Sequence, residues 1–235
     1  HKIRKGIIIG ENLTATYVNQ NGIAVGGQYN NDFRAAFSTT PLLPMYDDNG
    51  NFIDNTQGAN VKYNGKLYTP WYPAESNPYA RMIYNNQRKT NNQKLLGNIY
   101  LQLSLLKEVT FKSTVGFDYN SNETRQYIPT YRLSMYAFKD HDEARQSLGK
   151  GLGLQWDNLL TFNKNIDKNS FTVMVGTSAY KYDGSSMYTA NTDLTIGDLD
   201  HAYINNSTNT DLSRMSFNGS PHDPIRLLSY FGRFS

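Results

Sequence analysis

Two stretches of the chain alternate apolar and polar side chains with a period of two. In the clearer one, from Leu95 to Tyr119, the odd-numbered positions are mostly apolar and only residues 106–108 interrupt the pattern. Such alternation places an apolar and a polar row on opposite faces of each strand, and about 9 to 11 residues suffice for a tilted strand to cross a bilayer. The residues that we expect to face lipid are Ile99, Leu101, Leu103, Val109, Phe111, Val115, Phe117, Val173 and Val175.

The second stretch predicts another hairpin, over residues 152–162 and 171–179, with a turn-rich link at 163–169. Weaker strand patterns occupy 2–19 and 225–235. Long polar stretches at 20–92, 121–150 and 183–224 separate these strands, so long and short connections alternate. Bacterial barrels have short periplasmic turns and longer external loops. The pattern therefore predicts an all-β, antiparallel transmembrane β-barrel, of which this chain supplies about six strands.

Composition agrees with a barrel wall but does not establish it. Only 18% of the residues are charged, 18 are tyrosine, and the mean hydropathy of -0.62 comes from amides and hydroxyls. Barrels combine a wet lumen, an apolar outer wall and aromatic girdles in this way. A soluble β-sandwich with large insertions is the alternative fold, although its strands would average nearer 5 or 6 residues.

Several function classes find no support in the sequence. Cysteine is absent, which excludes disulfides, thiolate catalysis and cysteine metal sites. The 4 histidines are far apart in sequence, and the carboxylates at 140, 142 and 143 lie among basic residues, where solvated loop charge is the simpler interpretation. A calcium loop at 47–51 would need a distal glutamate that is missing, so a plain turn is expected. We expect no enzyme activity, no cofactor, no metal and, from a scattered net charge of +3, no nucleic-acid partner.

Aromatic side chains are frequent in the long connections. They could stack on sugar rings or pack against a partner protein, and packing within the loops themselves is the plainer alternative. The candidates for ligand or lid contact are Tyr68, Trp71, Tyr72, Tyr131, Tyr136 and Tyr188.

Several motifs resemble those of the SusC/RagA-like family of TonB-linked outer-membrane transporters. Residues 41–51, PLLPMYDDNGN, are similar to a proline-framed loop of that family, and 77–80, NPYA, follow in the expected order. Residues 156–164, WDNLLTFNK, match a strand end, with Phe162 where tyrosine is usual. Further matches are 97–101, 111–116 and 229–233.

The resemblance implies an internal segment of a barrel of about 22 strands. It implies that the plug domain and the remaining strands are absent from this chain, so that residues 1–235 are all barrel. It further implies import of an oligosaccharide or peptide across the outer membrane of a Gram-negative bacterium. The partners would be a SusD-like surface lipoprotein, TonB acting through the missing plug, and outer-membrane lipid.

Two alternatives remain open at the level of sequence. A passive porin-like barrel would lack the TonB-coupled plug. A secreted, β-rich carbohydrate-binding or adhesion domain would fold without detergent, which separates it from both barrels.

Overall fold

A computed structural model describes residues 2–22, 32–40, 44–56, 61–68 and 76–235. Most of these residues belong to one antiparallel sheet, as the alternation predicts. Its strands are β1 (Lys2–Arg4), β2 (Ile7–Asn21), β5 (Arg88–Ser104), β6 (Val109–Ile128), β9 (Glu143–Ile166), β10 (Asn169–Thr192), β11 (Ser216–Pro221) and β12 (Ile225–Phe234).

The strands follow one another across the sheet in the order β1-β2-β5-β6-β9-β10-β11. Both β11 and β12 pair with β10, one above the other on the edge that β9 leaves free. The His222 N–H donates to the Gly184 carbonyl at 2.9 Å between them, so the ladder continues across the break. When β11 and β12 are taken as one interrupted strand, the sheet has six long strands, which agrees with the expected number of about six.

Short turns join the strands at one end of the sheet. The β9–β10 turn is reduced to Asp167 and Lys168, and Asp167 has a φ of 52°, in the left-handed region. Between β5 and β6, the Leu105 N–H donates to the Val109 carbonyl at 2.9 Å. The turn predicted at 163–169 is therefore shorter than expected, because pairing continues to Ile166 and Asn169.

At the other end the strands are longer than the sequence pattern indicates, which corrects the bounds of the predicted polar stretches. Strand β6 continues to Ile128, β9 begins at Glu143 and β10 ends at Thr192, so parts of 121–150 and 183–224 are strand. Backbone hydrogen bonds continue there although the sequence no longer alternates, because most side chains on both faces of this part are polar.

Small elements decorate the long connections. They are the helices α1 (Asp32–Ser38) and α2 (Pro78–Asn85), and the two-stranded ladders β3 (Val61–Tyr63) with β4 (Lys66–Tyr68) and β7 (Tyr131–Arg132) with β8 (Phe138–Lys139). The Asn77 side chain caps α2 by accepting from the Tyr79 and Ala80 N–H groups. An ion pair of 3.2 Å between Arg81 and Asp32 joins the two helices.

Candidate functional site

The two faces of the sheet differ in chemistry. Side chains paired across neighbouring antiparallel strands share a face. Across β5, β6, β9, β10 and β12 one such row contains only apolar residues and defines what we call the apolar face: Ile99, Val115, Trp156, Ala179 and Leu228. On β2 the same row continues with the exposed Glu11, which pairs with Ile99. The opposite side is the polar face.

The residues expected to contact lipid all lie on the apolar face, and none is buried. Ile99 is 54% exposed, Val115 49% and Val175 52%, so no other part of the described chain covers this surface. We call the area between the Leu103–Phe111–Leu160 row and the Leu95–Tyr119–Leu152 row the band.

One polar row lies within the band, next to its Leu103–Phe111–Leu160 border. Ser113, Asn158 and Thr177 are paired in line, and the Ser113 hydroxyl accepts a hydrogen bond of 2.9 Å from the Trp156 indole N–H. The indole N–H is therefore hydrogen-bonded to a neighbour on the same face, and the indole ring remains exposed.

On the polar face, charged and amide side chains pair with one another. The Asp157 carboxylate accepts from the Gln155 amide at 2.9 Å and from the Ser178 hydroxyl at 2.5 Å. Lys94 and Asp118 are 3.6 Å apart. Asp118, Gln155 and Asp157 line a groove of about 340 Å³ that Tyr180 also lines.

Tyrosine rings on the polar face lie over glycines of the neighbouring strand. A Cβ added at Gly10 would be 2.3 Å from the Tyr100 ring, and one added at Gly151 would be 2.5 Å from the Tyr182 hydroxyl. The missing side chains therefore let the aromatic rings lie flat along the wall.

A second groove, of about 310 Å³, lies on the polar face beyond the band. We call it the upper groove. Its polar lining consists of amides, hydroxyls and one phenol, which is the chemistry that suits a neutral polar ligand. The lining residues with polar side chains are Asn122, Ser147, Ser186, Tyr188 and Asn218.

A charged cluster lies past the upper groove, at the start of β9. The Glu143 carboxylate accepts from the Arg145 guanidinium at 2.5 Å and also bonds the Lys139 ammonium. Tyr131 and Tyr188 lie near enough to Arg145 to interact with its charge. Tyr131 also stacks on Tyr84 of α2, with ring centroids 5.0 Å apart.

The structure thus brings together two of the aromatic residues proposed to contact ligand or lid. Tyr188 lies within β10 and not in a loop, which corrects its predicted location. Tyr136 is separate and 76% exposed. Trp71 and Tyr72 lie outside the described residues, and only the backbone of Tyr68 is described, at the end of β4.

Residues 193–215, which we call the covering segment, fold onto the same face as the band but beyond it. Lys89, Arg125 and Gln146 form one row of that face. Lys89 bonds the Asp200 carboxylate at 2.6 Å, and the Gln146 carbonyl oxygen accepts from the Ile204 N–H at 3.0 Å.

A small apolar core lies beneath the covering segment. Ala144 and Ala202 are fully buried, and Tyr127 is nearly so. Leu194, Leu199 and Ile204 pack against them.

Ion pairs hold the ends of the covering segment. The Asp193 carboxylate contacts His141 at 2.7 Å and Arg214 at 2.8 Å. Partial removal from water raises the pKa of Asp193, but the hydrogen bond from His141 and the charge of Arg214 outweigh it and lower the pKa below its ordinary value. The hydrogen bond from Lys89 likewise lowers the pKa of Asp200.

Sequence reasoning missed most of this site. Asn122, Ser147 and Asn218 carry no motif, and Arg145 was interpreted as solvated loop charge. Only a strand register extended past Ser121 could have placed them on one face with Tyr188. Within the described part of the chain, no three histidine or acidic side chains are grouped so as to hold a metal ion. None of the described helices is long and apolar enough to cross a membrane.

Comparison with known proteins relates this sheet to a family. Over 234 residues, 98% of the chain, the sequence is 23% identical to TonB-dependent receptor P39 of Formosa agariphila. Structures of the RagAB peptide importer in its "open-open" and "closed-closed" states match 99% of the chain with TM-scores of 0.70 and 0.69, at 16% and 19% identity. The resemblance to a segment of the SusC/RagA-like transporters is confirmed.

The match also confirms the fold class, a segment of an antiparallel barrel. No family model matches the chain. The chain spans 20% of the length of the curated receptor and 24% of each solved chain, so it corresponds to a part of a much longer protein in both comparisons.

Proposed function

We propose that this chain is part of the barrel wall of an active transporter in the outer membrane of a Gram-negative bacterium. The observation that carries the proposal is sequence similarity to a TonB-dependent receptor along 98% of the chain. Energy would come from TonB through a plug domain encoded elsewhere in the full-length protein.

The two faces of the sheet would have different roles in such a wall. The apolar face, from Ile99 to Leu228, would seal against lipid, because an exposed apolar band flanked by polar ends is what a bilayer stabilises. The polar face would line a wet lumen, and its grooves would lie along the path of the substrate.

The substrate class that we propose is an oligosaccharide or a peptide. Both carry many neutral hydrogen-bonding groups, and the upper groove offers amides and hydroxyls beside the Tyr188 ring. Arg145 and Glu143, just beyond, would orient charged or strongly polar groups at the mouth.

The end of the sheet with the long connections would meet a SusD-like surface lipoprotein. Tyr68, Trp71, Tyr72, Tyr131 and Tyr136 belong to these connections, and aromatic side chains are enriched in protein interfaces. Deleting residues 60–75 in the full-length protein should weaken co-purification of the lipoprotein while the barrel still inserts into membranes. Unchanged co-purification and uptake would contradict a lid-contacting role for this loop.

Uptake of labelled oligosaccharides and peptides by cells with and without TonB tests the function itself. We expect uptake of one substrate class, lost without TonB. Tyr188→Ala should raise KM for uptake by roughly 2- to 10-fold through the lost aromatic contact. Tyr230→Ala is the matched control, because that tyrosine lies on the apolar face and should leave uptake unchanged.

Each alternative gives a different result in these experiments. Uptake that persists without TonB would indicate a passive porin-like barrel. A full-length protein that is monodisperse without detergent would indicate a secreted binding domain instead.

A further inference from the structure

An open groove of about 630 Å³ lies on the apolar face at the upper border of the band. Its floor and walls are apolar, and two cations, Lys181 and Arg226, stand at one end. The apolar residues of this face that line it are Val115, Leu154, Trp156, Ala179 and Leu228.

The cations are held in place by a shared carboxylate. Asp183 contacts the Arg226 guanidinium at 2.6 Å and the Lys181 ammonium at 3.0 Å. Arg226 also donates to the Tyr182 and Ile225 carbonyls at 2.8 Å each. The side chains of Lys181 and Arg226 nevertheless remain 54% and 49% exposed, so both can accept a further anionic partner.

At the end of the groove two cations, Lys181 and Arg226, stand against one carboxylate, Asp183. Lys150 lies on the same face, two residues along β9 from Leu152, which pairs with Asp183. Glu123 of β6 lies near Lys150 on the same face, so the excess of one positive charge is that of Lys181 and Arg226 over Asp183. An anionic group in front of Lys181 and Arg226 would therefore be attracted.

The opposite border of the band carries a different kind of contact. There Lys164 of β9 is matched by Glu108 at 3.0 Å, one cation with one carboxylate. The cationic end of the groove lies at the end of the sheet with the long connections, which in bacterial barrels is the external end.

We propose that the groove binds lipopolysaccharide of the external leaflet, with a lipid A phosphate on Lys181 and Arg226 and an acyl chain along Trp156 and Leu228. Arg and Lys are the side chains that bind phosphate. A groove with an apolar lining and cations at one end therefore favours a ligand in which a phosphate is joined to acyl chains. The inference rests on the proposed position of the apolar face in the membrane. It adds a specific lipid site to that position.

Native mass spectrometry of the full-length transporter, titrated in detergent with phosphorylated lipid A, tests the proposal. Lys181→Gln should weaken binding about five-fold, and Lys181→Gln combined with Arg226→Gln roughly 25-fold, on the contribution that each Lys or Arg makes near anionic membrane surfaces. Lys164→Gln, on the same face of β9 at the other border, is the matched control and should change binding by less than about two-fold.

Two lipid comparisons identify the recognised group. Enzymatically dephosphorylated lipid A and phosphatidylglycerol should both bind several-fold more weakly than phosphorylated lipid A. Equal binding of dephosphorylated lipid A would overturn the phosphate contact, and equal binding of phosphatidylglycerol would overturn lipopolysaccharide as the occupant. An equal loss in Lys164→Gln would show that only general charge attraction operates.

Insertion and uptake separate this inference from the proposed function. A full-length protein that fails to insert into vesicles overturns both. A protein that inserts and transports, yet retains lipid A equally in Lys181→Gln and in the unaltered sequence, overturns only the lipid site.

Discussion

Strands β9 and β10 each have one half within the band and one half beyond it, beneath the covering segment. The two halves use the same face of the sheet in different ways. In the band, that face carries Trp156 and Val175, which no described part of the chain covers. Farther along it carries Gln146 and Ala144, which the covering segment 193–215 contacts or buries. The backbone ladder is continuous through both halves. The two halves therefore differ only in their side chains and in what covers those side chains.

The difference shows that strand pairing and hydrophobic alternation are separate properties. Alternation arises where one face meets an apolar environment, whereas pairing needs only backbone partners. A strand that leaves the proposed bilayer loses the first property and keeps the second.

An arginine in the band should have the largest effect. Val115→Arg should lower the free energy of unfolding from lipid vesicles by about 2 to 4 kcal/mol, because the charge would lie in the bilayer. Thr114→Arg, on the polar face beside Asp157, and Ser121→Arg, on the same face as Val115 but past the band, should each change it by less than about 0.5 kcal/mol. Equal costs at Val115 and Thr114 would indicate a two-sided protein core.

Enlarging an alanine should distinguish a surface covered by protein from one that we propose is covered by lipid. Ala144→Leu should cost about 1 to 3 kcal/mol, because Ala144 is fully buried beneath the covering segment. Ala179→Leu, on the same face within the band, should be nearly neutral. Denaturant titrations in vesicles measure both changes, and protease cleavage within 193–215 should increase only in Ala144→Leu.

The indole hydrogen bond tests how polar atoms are accommodated within the band. Trp156→Phe should cost about 1 kcal/mol beyond the change in size, because the Ser113 hydroxyl loses its donor. The same substitution in a Ser113→Ala background should cost less. A double-mutant cycle with no coupling between the two positions would contradict a contribution from this bond.

Acid should have the smallest effect, and in the covering segment it should act through Asp200. The pKa of Asp200 is lowered by Lys89 from its ordinary value of 3.8, so this contact stabilises the fold above that value. The stabilisation is lost as the pH falls through the lower, folded-state pKa. Hydrogen exchange in 193–215 should therefore increase below about pH 4 and not between pH 5 and 7.

Asp200→Asn should raise the exchange of that segment at neutral pH toward the acid level. Asp167→Asn, in the turn at the opposite end of the sheet, is the control and should have no effect there. An acid response that is identical in both variants would assign it to other carboxylates, with Asp193 the next to test.

Much of the band could be predicted from the sequence because lipid-facing and polar positions alternate in it. The odd positions from Ile99 to Phe117 do lie on one face, and short and long connections alternate as expected. The strand halves beyond the band could not be predicted in the same way, because residues 120–128 are polar on both faces except at their end. Helix α2 was missed although Asn77 followed by Pro78 is a recognisable start signal.

The upper groove was beyond sequence reasoning for another reason. Asn122, Ser147 and Asn218 come from three strands and meet only through register, which depends on the whole ladder. Tyr188 was named among the candidates for its residue type alone, and its neighbours on that face gave no signal of their own.

The length of β10 past the band sets a requirement for how a surface lipoprotein could be tethered. Nine residue steps separate Asp183 from Thr192, and at about 3.4 Å each, with a tilt near 40°, the wall would rise roughly 23 Å above the bilayer. The acyl anchor of a lipoprotein seated on this rim would remain in the bilayer below. Its polypeptide would therefore need a linker of at least about seven extended residues between the acyl anchor and the folded body. With a shorter linker, the folded body could not reach the rim while its anchor stays in the bilayer.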